Sequence, residues 1–148
     1  MWSDLLFLAE RAHLGRLLAW GSGSLLVGTL IILLALVRRR GQFPLLLNFG
    51  VVTGGWGLVH VAIAMGGLRA LQMRDLAGFT RYDRSLWFAL GLDIGLIGVG
   101  VALAVCGWVA ERSPRFLGAG TATIAQGLAL LVLHAAAIST IFRLIAPG

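Results

Sequence analysis

The chain has no lysine and a single cysteine, and only 12% of its 148 residues are charged. One cysteine can form neither an internal disulfide nor a cysteine metal site, so Cys106, inside the third apolar stretch, is read as a small core filler. Soluble domains carry about 25% charged residues; the shortage here, with 59% hydrophobic residues, argues against a soluble core. All twelve basic residues are arginine, in a pattern that fits a GC-rich genome and gives a net charge of +6. They are scattered between apolar stretches rather than gathered into the continuous basic face that nucleic acid requires, so no nucleic-acid partner is expected. The chain also lacks H-E-x-x-H, C-x-x-C, a phosphate-cradling loop and a serine–histidine pair at motif spacing, which argues against an enzyme. The run Gly21-Ser22-Gly23-Ser24 reads as close helix packing.

What the chain does have is four long apolar runs, at 17–37, 45–68, 86–110 and 118–142. Each is about 21–25 residues, close to the ~20 an α-helix needs to cross the hydrocarbon of a bilayer. The connections are short, which makes neighbours antiparallel. The expectation is an all-α, integral membrane four-helix antiparallel bundle forming a single transmembrane domain over 1–148. Residues 1–16 read as a short interfacial helix, with Trp2, Leu5, Leu6 and Ala9 on one face and Asp4 and Arg11 off it; a plain extension of the first span is the alternative. His13, in this segment, is read as solvated. Asp4 and Glu10 stand where a cleavable signal would be positive. Pro44 suits the first turn of the second helix, and the gap from 69 to 85 is read as the longest connection.

Arginines at such gaps anchor a bundle at lipid headgroups, so membrane lipid is an expected partner, beside other membrane subunits or a second copy. Arg11, Arg16, Arg69, Arg74, Arg81, Arg84 and Arg143 fall on the side of the termini; Arg38, Arg39, Arg40, Arg112 and Arg115 fall on the other. That bias leans toward cytoplasmic termini in a cell inner membrane, although the triplet after the first span argues the reverse. Trp20, Trp87 and Trp108 lie near span ends and fit an aromatic belt, whereas Trp56 is mid-span and fits core packing. Gly50 and Gly54 on the second helix, and Gly91, Gly95 and Gly98 on the third, form small-residue ridges that serve helix packing or self-association.

Ionisable residues within spans are costly and mark the bundle interior. His60, Asp93 and His134 are three such residues, and helix rise places all of them roughly 5–8 Å from the midplane, in the half nearer the termini. Thr53, Gly57 and His60 share a stripe, as do Thr123, Gly127, Leu130 and His134, with Gln126 at its edge. Asp93 points away from Gly91 and Gly95. Several readings stay open. One is a buried, hydrogen-bonded cluster of His60, Asp93, His134 and Gln126 in a non-enzymatic membrane protein, structural or accessory to a larger complex. Another is haem b held by His60 and His134, or quinone binding beside them. A third is a proton or ion path, or a metal site on His60, Asp93 and His134.

The run from Arg84 to Gly95, with Leu86-Trp87 ahead of Gly91-Leu92-Asp93, resembles the third helix of an uncharacterised bacterial family of small four-helix membrane proteins. Gly118 to Leu128 is similar to that family's fourth helix, and Asn48 with Trp56-Gly57 to its second. The resemblance covers most of the chain from the second helix on. It implies the four-helix fold and gives weight to Asp93, but supplies no reaction. The chain departs from the family pattern at Ala89, where a polar residue is expected, and at His134, where an acid is expected. A haem role through His134 would therefore not extend to the family.

Overall fold

The computed structural model describes residues 2–37, 43–110 and 112–145. Four helices run in chain order: α1 (Trp2–Val37), α2 (Pro44–Arg69), α3 (Leu76–Val105), which continues through a π-helical turn at Cys106–Ala110, and α4 (Pro114–Ile145). All four are long and apolar enough to cross a membrane. Pro44 stands in the first turn of α2, where its missing N–H costs nothing. Asp75 caps α3, its carboxylate accepting from Gly78 N at 2.7 Å, which meets one of the orphan donors of a helix start. The π-helical turn ends where Ser113 N donates to Gly107 O at 2.8 Å, beside Arg112 in the left-handed region at φ 46°. The arginine triplet Arg38, Arg39 and Arg40 lies outside the described residues.

Glycine decides which helices meet. Seven-residue spacing keeps two positions on one helix face, and each helix repeats glycine at that interval: Gly21 and Gly28, Gly50 and Gly57, Gly100 and Gly107, Gly120 and Gly127. On α1 and α2 these glycines face one another. A Cβ on Gly57 would lie 2.5 Å from Leu25 N, and one on Gly21 2.8 Å from Val61 N. A Cβ on Gly28 would run into the backbone of Gly54. On the other pair, a Cβ on Gly120 would lie 2.6 Å from Ala104 N and one on Gly100 2.8 Å from Ile124 N. Rising positions on one helix meet falling positions on the next, so both pairs are antiparallel. Side-chain-free contact of this kind drives helix association where apolar burial gives no advantage.

The two pairs join through α4, which packs against α1 and α2 as well as α3; α3 makes no backbone approach to α1 or α2 among the described residues. Leu17, Ala64 and Leu130 fill the space where α1, α2 and α4 meet. A second cluster, Leu6, Tyr82, Leu86, Ile138 and Ile141, ties the ends of α1, α3 and α4 together.

Four expectations are corrected. Residues 1–16 do not form a separate interfacial helix: the described part continues α1 without a break, because Leu6, Glu10, His13 and Leu14 extend its inward stripe and are buried. The connection before α3 is only 70–75, because Asp75 starts the helix and Tyr82 and Leu86 have a core to enter. Gly91, Gly95 and Gly98 do not pack in the bundle; nothing lies within 4 Å of a Cβ on any of them. Gly91 sits two residues, roughly 200° around the helix, from Asp93, and α3 has only one packed face, the one toward α4. Cys106 is exposed rather than core, since it lies off that same face.

Gly28→Ala is therefore expected to lower resistance to unfolding by about 1–3 kcal/mol, the usual cost of overpacking. Gly95→Ala should leave it unchanged or raise it slightly, by up to ~1 kcal/mol of helix propensity. Helix content against temperature in detergent micelles checks both.

Candidate functional site: a groove beside a buried carboxylate–imidazole pair

Asp93 sits on the α3 face turned to α4 and is 4% exposed. Gly127 makes this approach close: a Cβ there would lie 2.7 Å from Ile97 Cγ1 and 3.1 Å from Asp93 O. Two turns along the same face of α4 comes His134. Its Nδ1 lies 2.7 Å from Asp93 Oδ2, short enough for a charge-assisted hydrogen bond. A carboxylate only accepts, so with Asp93 ionised the imidazole Nδ1 donates. Both side chains are largely shielded, His134 at 12% and Asp93 at 5% side-chain exposure.

Beside the pair lies a groove of about 500 Å³ bordered by Leu17, Trp56, His60, Asp93, Leu96 and His134. It exists because the backbones of α2 and α3 stay apart among the described residues: α4 is its floor and the two other helices are its walls. Apart from the pair and His60, its surface is apolar. His60 lies on the α2 wall, its ring stacked on Trp56 with centroids 5.7 Å apart and planes at 18°. His60 Nδ1 is buried and has no hydrogen-bond partner among the described residues.

His60, Asp93 and His134 thus border one space, but only Asp93 and His134 are bonded. Gln126, expected in the same cluster, belongs to another. Its Oε1 accepts from Trp20 Nε1 at 2.9 Å and its Nε2 donates to Ser24 Oγ at 3.2 Å. Gln126 is eight residues, ~12 Å, down α4 from His134. Gly50 and Gly54 lie against α1 at Gly28, away from the groove. Among the described residues no three histidine, cysteine, aspartate or glutamate side chains form a group that could hold a metal ion; His60 stands on the other wall of the groove from the pair.

Two buried residues behind the groove were not anticipated. His13 is 5% exposed rather than solvated, and its ring packs against that of His134, centroids 5.2 Å apart at 48°. One turn before it, buried Glu10 accepts twice from Arg74, at 2.7 Å from Nε and 2.6 Å from Nη2. These hydrogen bonds to Glu10 push the Arg74 guanidinium above its ordinary, already high value. The same guanidinium lies 5.2 Å from the centre of the Tyr82 ring. The signal was present in the spacing: Leu6, Glu10, His13 and Leu17 continue one helical face at three- and four-residue intervals.

A family model matches residues 16–135. The chain belongs to the family of unknown function DUF6992. The matched segment holds the glycine repeats and His60, Asp93 and His134; Glu10 and His13 lie ahead of it. Neither a curated protein nor a solved structure matches the chain. This DUF6992 chain therefore takes its functional reading from its own geometry.

Removing Arg74 would leave Glu10 buried with its charge unopposed. Arg74→Gln is expected to destabilise by about 1–3 kcal/mol, less than a fully buried pair because the guanidinium is partly exposed. A Glu10→Gln, Arg74→Gln double variant should recover much of that loss, as read from thermal midpoints in detergent.

Proposed function

We propose that this is a non-enzymatic, multi-pass protein of a bacterial inner membrane whose groove binds a lipid-soluble molecule with a carbonyl or hydroxyl head, the chemistry of a quinone. One observation carries the reading: a buried Asp93–His134 hydrogen bond forms part of the wall of an apolar groove that opens sideways between α2 and α3. Ligand sites combine an apolar lining with a few convergent polar groups. An apolar tail would lie along Leu92, Leu96 and Val99, and the head would meet the pair. An ionised Asp93 would accept a hydrogen bond from a hydroxyl and a protonated one would donate to a carbonyl, so the pair suits either oxidation state of such a head. In the bilayer, the open side would face lipid, which is where a hydrophobic ligand is concentrated. A helix of a larger membrane complex is the competing occupant.

The termini and the α2–α3 connection share one end of the antiparallel bundle, and seven of the arginines go with that end. On this account the termini are cytoplasmic. A fluorescent protein fused after the C-terminus should fluoresce, and a periplasm-dependent phosphatase fused there should be inactive; the reverse result would turn the molecule over.

Trp56 borders the groove, so decylubiquinone should quench tryptophan fluorescence saturably in lipid nanodiscs. Trp56→Phe should remove the saturable part. Asp93→Asn should weaken binding about tenfold, or ~1.4 kcal/mol, the value of one hydrogen bond to a charged group. Quenching that rises linearly and equally in all three proteins would contradict the reading. A second reading, haem b, is favoured by the unpartnered His60 Nδ1 sharing the groove with His134. Its sign would be a reduced-minus-oxidised visible band, at close to one haem per chain, that is lost in His60→Ala.

A further inference from the structure

The buried polar residues of this chain do not stop at the groove. Glu10, His13 and His134 form a file from the α2–α3 end of the molecule to Asp93. Glu10 and His13 are one turn apart on the buried face of α1, and side chains at that spacing are neighbours. The His13 and His134 rings are packed together, and His134 is bonded to Asp93. The His13–His134 and His134–Asp93 steps are thus contacts, while Glu10 stands one helical turn from His13, a gap that a single water would bridge. A histidine serving only as packing would have its ring nitrogens satisfied or replaced by carbon, yet His13 Nδ1 is buried with no hydrogen-bond partner among the described residues. The Tyr82 hydroxyl, beside Arg74 at the outer end of the file, is in the same condition.

We propose that Glu10, His13, His134 and Asp93 form a proton relay between the aqueous edge at Arg74 and the groove. The proposal rests on the groove being the functional site, and it adds the route by which that site exchanges protons. A proton delivered by hydronium at the Glu10–Arg74 edge, leaving water behind, passes by way of the Glu10 carboxylate to His13. It then passes to the ring nitrogen of His134 that Asp93 does not hold, through ring rotation or a single bridging water. As it arrives, the Nδ1 proton of His134 moves to Asp93 Oδ2. The imidazole ends neutral, and the carboxyl on the groove wall becomes an acid able to donate a hydrogen bond to an oxygen of the bound molecule. No electron moves and no net charge is left on the pair. Arg74 holds Glu10 at the water-facing end, while Arg16 on α1 and His60 on α2 are the other titratable groups near the two histidines. The relay runs from one side only. Toward the other end of α1 and α2 the interface is glycine backbone at Gly28, Gly50 and Gly54, with no titratable side chain among the described residues to continue it. Over the described residues the file is therefore a half-path that delivers protons to the groove.

The test is proton exchange at the pair itself. The His134 Nδ1–H, held by Asp93, should give a far-downfield proton resonance in lipid nanodiscs, and its absence in Asp93→Asn assigns it. On transfer to deuterated buffer this resonance should disappear quickly in the native protein. It should disappear about a hundredfold more slowly in His13→Phe, the lower end of what one positioned proton-transfer group contributes. Glu10→Gln, which keeps the shape of the side chain, should slow it in the same direction and serves if His13→Phe does not fold. Equal exchange rates in the native protein and a folded variant would overturn the relay. The decylubiquinone titration of His13→Phe separates the two claims: native-like binding with slow exchange supports both, and native-like binding with fast exchange overturns the relay alone. Absent binding in the native protein removes the groove reading on which the relay depends.

Discussion

Backbone-to-backbone contact at glycine is the constraint on which the rest of this molecule depends. The α1–α2 and α3–α4 pairs are each drawn so close that a single methyl group at Gly57, Gly100 or Gly120 would meet main-chain atoms. Two pairs built this tightly cannot also close into a symmetric ring of four. They join instead along one helix, α4, and leave α2 and α3 apart. The groove is thus a consequence of where the glycines are, as is the placing of Asp93, whose helix is held against α4 by Gly127.

That geometry puts a costly group where it can act. A carboxylate buried among apolar helices persists only with a good partner, and His134 supplies one at 2.7 Å. The pair has no apolar cover on the groove side. His13 then links the pair to Glu10 and Arg74, so the polar interior is continuous with one edge of the molecule. A second polar group, Trp20, Gln126 and Ser24, lies deeper along α1 and α4. It has no titratable member, and its hydrogen bonds are turned on one another, which suits it to fixing register.

Much of the fold was legible in the sequence because length and hydropathy suffice for it: four apolar runs became four antiparallel helices. That His60, Asp93 and His134 lie at one level of the bundle, where they border one groove, was legible from helix rise alone. What could not be read was which helices touch. Without that, the ridge of Gly91, Gly95 and Gly98 looked like a packing face, although α3 turns it outward. The seven-residue glycine spacing does not separate the two faces, since Gly91 and Gly98 share it with Gly100 and Gly107; which of them meets α4 follows from the helix pairing alone. Glu10 and His13 were misplaced for a different reason. Hydropathy assigns a charged N-terminal segment to the surface, whereas Arg74, distant in sequence and brought in by the α2–α3 connection, is what allows Glu10 to be buried.

The central claim is that the space between α2 and α3 is open to the bilayer beside the Asp93–His134 pair. Photolabelling in nanodiscs with a diazirine-bearing lipid, read by mass spectrometry residue by residue, tests it most directly. The account predicts label on Ile63, Leu92 and Val99, which border the groove, in addition to outward residues such as Leu26 and Val132. Label on Leu26 and Val132 with none on Ile63, Leu92 or Val99 would mean that α2 and α3 close together or are covered, and would contradict it.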